Sequence, residues 1–293
     1  MKKALLILTL LAGFINASAQ DLVLTNTGDS INCKITKVEY NNVYFTFKRN
    51  NEIRSTLSSI TDLKEYKYNF YKTSLLPANK VFNNQKYSHW RYGLNIAYGY
   101  QTAKSSPNQN QLEKEYYDGL RSGYSIGADV SYFIKENLGI GLKYNRFMTS
   151  NSLNNVSFTP NNGGPNVFGT LANNVSIDFI APYLSVRQIS KNQKNALLMG
   201  IALGYIGFKD DIIEYNKYTV TSSSFGMMLD LGYDVGLSKN TALAFQIAYL
   251  ASTLNYRDVN DGTKTIRQTF DKNSFIGLGR LELGIGFKFR SGK

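Results

Sequence analysis

The chain has 293 residues, 33 of them basic and 21 acidic, which gives a formal net charge of +12. Its 24 glycines, 21 tyrosines and 17 phenylalanines, together with only 5 prolines, are typical of β-structure. Because Cys33 is the only cysteine and His89 the only histidine, an intrachain disulfide is excluded and a zinc cluster lacks ligands. We therefore predict no metal site and no cofactor.

Residues 1–19 are predicted to form a secretory signal peptide. Two lysines precede an apolar run at residues 4–15, and a small-residue cleavage site, Ala-Ser-Ala, follows at 17–19. We predict cleavage after Ala19 and export. The remaining sequence lacks a run of about 18 apolar residues, which argues against membrane-spanning helices.

Residues 20–70 are predicted to form a small soluble β-domain in the periplasm. Short alternating segments are separated there by turn sequences such as the asparagine pair at 41–42. Residues 71–88 are polar and carry Pro77, which indicates a linker. The sequence pattern changes beyond this linker, and we assign residues 89–293 to a second domain.

The second domain contains eight segments in which apolar residues alternate with small or polar ones. In the last segment, for example, Leu283, Ile285 and Phe287 alternate with glycines and charged residues. Strands of about ten residues match the length needed to cross a bilayer at a tilt. The eight segments are 90–101, 123–134, 138–145, 175–189, 196–208, 224–237, 242–250 and 281–290.

The connections between these segments alternate in length. Three are short and polar, with the sequences Lys-Glu-Asn, Ser-Lys-Asn-Gln-Lys-Asn and Ser-Lys-Asn. The others are predicted to be long loops at 102–121, 150–174, 209–221 and 252–272. Short turns at one end and long loops at the other are typical of outer-membrane barrels. The predicted fold is therefore all-β, an eight-stranded antiparallel transmembrane β-barrel preceded by the small soluble β-domain.

The two faces of the predicted strands indicate how the barrel is oriented. An eight-stranded barrel is just wide enough to be filled by side chains, which suits the face rich in glycine, alanine, serine and charges. Apolar residues, including Val175, Ile177 and Phe179, then face lipid. Acidic and basic residues on the lumen face are predicted to form a polar network of Arg91, Asp129, Lys143, Asp178, Asp230, Asp234, Arg280 and Glu282.

A soluble, lipocalin-like barrel is the alternative arrangement. Its apolar face would line a ligand cavity, and its outer face would consist mostly of glycine, alanine and serine. Exposed glycine is a poor strand former, and so few surface charges give poor solubility. We therefore favour the membrane barrel.

The final strand resembles the β-signal that outer-membrane barrels present to their assembly machinery. A polar residue, a glycine two positions later and two alternating aromatics match Glu282, Gly284, Phe287 and Phe289. Residues 88–290 resemble the family of small eight-stranded outer-membrane proteins, and the whole arrangement is similar to exported proteins of Bacteroidota-type bacteria. The resemblance implies location in the outer membrane and insertion by the barrel assembly machinery.

Three functional hypotheses follow from this sequence. The favoured one is a non-enzymatic barrel that anchors the periplasmic domain and displays surface loops for envelope structure, adhesion or binding of a periplasmic or extracellular protein. The second is a narrow channel or transporter. The third is a barrel enzyme, which is disfavoured because His89 precedes the first spanning strand; we predict no catalytic residue. The excess positive charge indicates contact with anionic membrane lipid or lipopolysaccharide, and no nucleic-acid motif is present.

Overall fold

The computed structural model describes residues 20–71, 76, 87–102, 111–158, 164–190, 194–214, 216–271 and 274–291. The chain divides into two compact units between residues 86 and 87. The predicted signal peptide at 1–19 and most of the predicted linker at 71–88 lie outside the described residues.

The first unit is a single antiparallel sheet with the strand order β4-β3-β2-β1-β5. A short 3₁₀ turn at Ile60–Asp62 joins β4 to β5. Gly28 and Asn41 adopt positive φ angles of 92° and 64° in the tight turns, a conformation that glycine and asparagine tolerate best. The five strands are β1 (Gln20–Thr25), β2 (Ser30–Glu39), β3 (Asn42–Arg49), β4 (Glu52–Ser59) and β5 (Leu63–Tyr71).

One face of this sheet carries a small apolar core around Val23, Cys33, Val43 and Phe45. The carboxylate of Asp21 is buried beside it and accepts hydrogen bonds of 2.8 Å from the backbone N–H groups of Ile35 and Asn69. Lys34 approaches the same carboxylate at 3.3 Å. Because N–H donors and a cation satisfy it, the buried charge links β2 and β5 across β1.

The second unit contains a ring of eight antiparallel strands. Pairing runs in chain order from β6 to β12, then to β16, and back to β6. This ring confirms the predicted all-β, eight-stranded antiparallel arrangement. Its strands are β6 (Trp90–Gln101), β7 (Ser122–Lys135), β8 (Leu138–Phe158), β9 (Val167–Ile189), β10 (Ala196–Glu214), β11 (Asn216–Gly236), β12 (Thr241–Leu254) and β16 (Arg280–Ser291).

Several smaller elements lie at one end of the ring. A helix, α1 (Gln111–Gly119), is inserted between β6 and β7. A hairpin of β13 (Tyr256–Asn260) and β14 (Thr265–Thr269) continues the sheet beside β11, and β15 (Ile276–Gly277) pairs with β12. Across the described part of the chain, no helix has the length and apolar character to cross a membrane.

The structure corrects the predicted loops at 150–174 and 209–221. Most of these residues extend β8 to β11, which are 19 to 23 residues long and pair with one another almost to their ends. Serine, threonine and asparagine are frequent in these segments and favour loops, but the ladder hydrogen bonds from the neighbouring strands hold the segments in β-structure. We call this end of the ring the long-hairpin end and the opposite end, with the three tight turns, the short-turn end.

The first prediction concerns Cys33, whose thiol is fully buried and has a pKa raised by burial to about 12. Because thiolate is the reactive species, the folded protein should react very slowly with a thiol-specific disulfide reagent at about pH 8. Labelling should become fast and stoichiometric once urea unfolds the first unit. Fast labelling without denaturant would contradict the buried position of Cys33.

Candidate functional site

The interior of the ring is the candidate functional site because it concentrates the buried charges of the second unit. Along β16, Arg280, Glu282 and Lys288 point inward and are buried, whereas Leu283 and Ile285 point outward and are half-exposed. The same alternation holds in β6, whose glycines, Arg91 and the neighbouring small residues face inward. In this part of the ring the charges are therefore inside and the apolar side chains outside.

The cluster nearest the short-turn end is centred on Arg91. Its guanidinium donates to Asp129 at 2.7 Å and to both carboxylate oxygens of Asp234 at 3.0 and 3.1 Å. Lys288 approaches Asp129 at 2.8 Å, and the amide of Asn95 bonds to the same carboxylate at 3.0 Å. Side chains from β6, β7, β11 and β16 therefore meet at one point, which ties together opposite walls of the ring.

Two further ion pairs lie along the interior. Lys143 donates to Asp230 at 2.6 Å, and the Tyr183 hydroxyl donates to the other oxygen of that carboxylate at 2.9 Å. Arg280 pairs with Glu282 at 2.6 Å, and Asn145 bonds to both partners at 2.6 and 3.0 Å. The charges of these two pairs are thus matched by specific acceptors and donors, as burial in a low dielectric requires.

The structure brings together seven of the eight residues predicted for the lumen network, through the contacts of Arg91, Lys143 and Arg280 described above. Asp178 differs: it lies on the outer face of β9 and its side chain is 39 % exposed. There it accepts a hydrogen bond from the Tyr144 hydroxyl and lies 3.6 Å from Arg146. The assignment of Asp178 to the lumen is wrong.

The reason lies in the sequence of β9. In its first part the apolar residues of the alternation point into the ring, whereas in β6 and β16 they point outward. Val175, Ile177 and Phe179 point inward and belong to a buried apolar cluster, although they were predicted to face lipid. Beyond position 179 the outward residues are apolar, such as Ile180 and Leu184.

Around Ile177 the interior is therefore apolar and the outer face carries the charged Asp178, the opposite of the arrangement in β6 and β16. Farther along the hairpins, Asn173 and Asp210 also point inward, where they are joined by a hydrogen bond of 2.6 Å.

Several interior residues were not named from the sequence. Lys288 and Arg290 follow Glu282 on the inward face of β16, so the alternation already contained the signal for them. Arg187 was missed because the phase of β9 was misread. It donates to the carbonyl oxygens of Glu136 and Ser88 at 2.7 and 2.8 Å.

Side chains fill the lumen at the level of these charges. A Cβ atom added at Gly93 would overlap the side chains of Lys288 and Asp129, and one added at Gly200 would overlap the ring of Tyr183. Glycine at these two positions therefore makes room for the charged and aromatic groups that cross the lumen.

The predicted β-signal residues divide between the two faces of β16. Glu282 and Gly284 face inward, the first as the partner of Arg280 and the second against Ala97. Phe287 and Phe289 face outward with their ring centroids 4.9 Å apart. This placement leaves the aromatic pair accessible from outside the ring.

The remaining candidates for chemistry are few. His89 contacts the ring of Tyr132 in a stacked arrangement, and its Nδ1 lies 3.1 Å from the Phe133 carbonyl oxygen. Within the described ranges, no group of three or more histidine, cysteine or acidic side chains is placed to hold a metal ion. The site is therefore characterised by its ion pairs.

The fold and its interior define the class of protein, a closed eight-stranded antiparallel β-barrel with a charged lumen filled by side chains. The chain is similar to a number of solved structures, three of which illustrate the likeness. Neisserial surface protein A has 13% identity and a TM-score of 0.43, covering 70% of this chain and 99% of that one. OprG from Pseudomonas aeruginosa has 12% identity and a TM-score of 0.43, covering 70% and 98%.

The third structure is a major outer membrane protein from Thermus thermophilus, with 11% identity and a TM-score of 0.43, covering 69% of this chain and 98% of that one. No protein-family profile matches the chain, and no curated protein sequence matches it significantly.

The second prediction uses the Lys143–Asp230 pair. Replacing Asp230 by leucine leaves the Lys143 charge buried without its partner and should lower the free energy of unfolding by about 3–5 kcal/mol. The double variant Lys143→Met with Asp230→Leu should recover most of that loss, since no buried charge remains. Urea unfolding of the refolded protein measures both effects.

Asp178→Leu is the matched control for this experiment. The same substitution on the half-exposed outer face should change the free energy of unfolding by no more than about 1 kcal/mol. A double variant as unstable as Asp230→Leu alone would show that the pair is not the source of the effect.

Proposed function

We propose that the protein is an outer-membrane β-barrel that is closed by its own side chains and serves as an anchor and display scaffold. The observation that carries this proposal is the distribution of polarity across the ring. Its outer surface exposes a wide apolar band, while its interior buries charged pairs. A surface of that kind is stable against lipid and unfavourable in water.

Aromatic side chains mark both borders of the apolar band. Those toward the short-turn end include Trp90, Tyr92 and Tyr132, and those toward the long-hairpin end include Tyr98 and Tyr124. Tyrosine and tryptophan favour the interface between lipid and water. Arg146 and Asp178 are charged residues on the outer face close to the border marked by Tyr98 and Tyr124. We infer that the membrane ends at this level.

Closure of the ring supports a role as an anchor. Antiparallel pairing without an open edge satisfies the backbone hydrogen bonds that lipid cannot satisfy. The side chains crossing the lumen leave little space for a continuous water path at the level of Arg91 and Lys143. The long hairpins then act as a display surface outside the membrane.

We further propose a periplasmic location for the first unit. It precedes β6, whose first residue lies at the short-turn end, and short turns face the periplasm in barrels of this class. Export after cleavage behind Ala19, a Bacteroidota-type origin, insertion by the assembly machinery and contact with lipopolysaccharide remain parts of the same proposal. A protein partner would bind the first unit or the long hairpins.

A narrow channel is the second candidate, favoured by the charge of the lumen. Arg187, Lys288 and Arg290 are buried there beside Arg91, and Asp129 and Asp234 are each shared between two of these cations. Any current should therefore be carried mainly by anions. Opening would require movement of the cluster around Arg91.

The third prediction tests the membrane band. Ile285 is half-exposed near the middle of the outer face, so Ile285→Arg should weaken insertion into lipid vesicles by about 2–4 kcal/mol. Phe168 is 76% exposed on the long hairpin beyond the proposed membrane, and Phe168→Arg is the matched control. Protease protection and heat-modifiable migration in gels measure insertion. Equal insertion of both variants would contradict the proposal that the apolar band contacts lipid.

The fourth prediction concerns conductance. The refolded protein, inserted in a planar bilayer, should carry no steady stepwise current because the lumen is filled. Arg91→Ala should introduce brief openings, since it removes the group that joins three strands of the ring. Steady current in the unmodified protein would favour the channel over the anchor.

A further inference from the structure

The short-turn end of the barrel holds more positive than negative charge. Five cations meet there, namely Arg91, Arg187, Lys239, Lys288 and Arg290. The described acids around them are Asp129, Asp234 and Glu136. The other two lumen pairs, Lys143–Asp230 and Arg280–Glu282, are neutral by themselves and do not offset this excess.

Each carboxylate in this region already interacts with at least one of these cations. Asp129 contacts both Arg91 and Lys288, and Asp234 contacts both Arg91 and Arg290. Glu136 lies in the adjacent turn, where it is partly exposed and attracts Arg187 electrostatically. Among the described residues of this region, the cations therefore outnumber the carboxylates, although Lys239 lies in an exposed turn and the other four cations are buried.

The Arg290 side chain has one nitrogen without a hydrogen-bond acceptor among the described residues. Its Nη1 donates to the Lys194 carbonyl oxygen at 2.9 Å. Its Nη2 lies 3.5 Å from Asp234, is shielded from solvent, and makes no hydrogen bond to any described residue. The Nη2 nitrogen therefore loses its hydration and gains only the 3.5 Å ion-pair contact with Asp234, which is unfavourable for a buried donor.

A small cavity adjoins this group. It has a volume of about 20 Å³ and is lined by Arg91, Arg187, Arg290, Lys239 and Asp234, with Ser88 at its edge. Arg187, stacked on the Phe133 ring at 3.5 Å, forms part of its wall. A space of this size holds one particle about as large as a water molecule.

We propose that this cavity is a binding site for a small inorganic anion of halide size, most simply chloride. The anion would accept a hydrogen bond from Arg290 Nη2 and neutralise part of the excess charge. Charge complementarity favours an anion over water, and the cavity volume excludes larger organic anions. The site would stabilise the short-turn end of the barrel independently of what the hairpins bind.

The test compares thermal unfolding of the refolded full-length protein in chloride, bromide and gluconate at equal ionic strength. Gluconate is too large for the cavity. We expect an unfolding midpoint several degrees higher in chloride or bromide, since a ligand that binds only the folded state stabilises it. Crystals grown in bromide should show anomalous scattering within hydrogen-bonding distance of Arg290 Nη2.

Two variants make the test specific. Arg290→Gln should lose most of the difference between chloride and gluconate, while Arg267→Gln, an exposed arginine paired with Asp258 on the outer hairpin, should keep it. If Arg290→Gln does not fold, Lys239→Gln, in an exposed turn, should reduce the same difference.

The proposal is overturned if the midpoints in chloride and gluconate agree, or if Arg290→Gln retains the full chloride dependence. It is also overturned if the bromide crystals show only a water molecule in the cavity. None of these outcomes affects the membrane band, because insertion is measured separately with Ile285→Arg.

Discussion

The pairing of β6 with β16 is the contact on which the rest of the second unit depends. It joins Trp90 to Ser291, the first and last described residues of the ring. Without it the sheet has two unpaired edges, and their backbone groups would have no partners in lipid. The same pairing brings Glu282 and Lys288 inside, where they meet Asn145 of β8 and Asp129 of β7. Backbone closure and charge neutralisation are therefore coupled.

This coupling explains why the ring has two different interiors. At the levels surrounded by the apolar band, the inward side chains include charged pairs, of which Arg91–Asp234 and Lys143–Asp230 join strands that are not neighbours. At the long-hairpin end, the inward side chains around Phe147 and Ile177 form an apolar cluster. In the proposed membrane orientation, water surrounds the first residues of the long hairpins and hydrocarbon surrounds the apolar band, so each part buries the side chains that its surroundings disfavour. One continuous set of strands thus follows two opposite packing rules.

Much of this arrangement could be predicted because period-two alternation is strong in β6, β7 and β16. Their inward and outward faces, including Arg91, Asp129 and Glu282, agree with the sequence pattern. The prediction was wrong at β9 because alternation identifies the two faces of a strand but does not show which face contacts water. Residues 175–179 alternate as regularly as the others. They lie toward the long-hairpin end, however, where the apolar side chains point into the ring. The parts of β8 to β11 at the long-hairpin end were predicted as loops because they are polar. Polar residues nevertheless form strands readily when a neighbouring strand supplies hydrogen bonds.

The extension of the four long strands changes the thermodynamics of recognition at the exposed end. From Tyr205 to Glu214, β10 continues as a paired strand, which adds a length of about 30 Å measured along the strand. A ligand that meets flexible loops must order them, and each residue fixed costs about 1–2 kcal/mol of conformational entropy. Here the backbone is ordered in advance, so a partner would lose little free energy in fixing it. Shape selectivity, and not induced folding, should then govern what this surface binds.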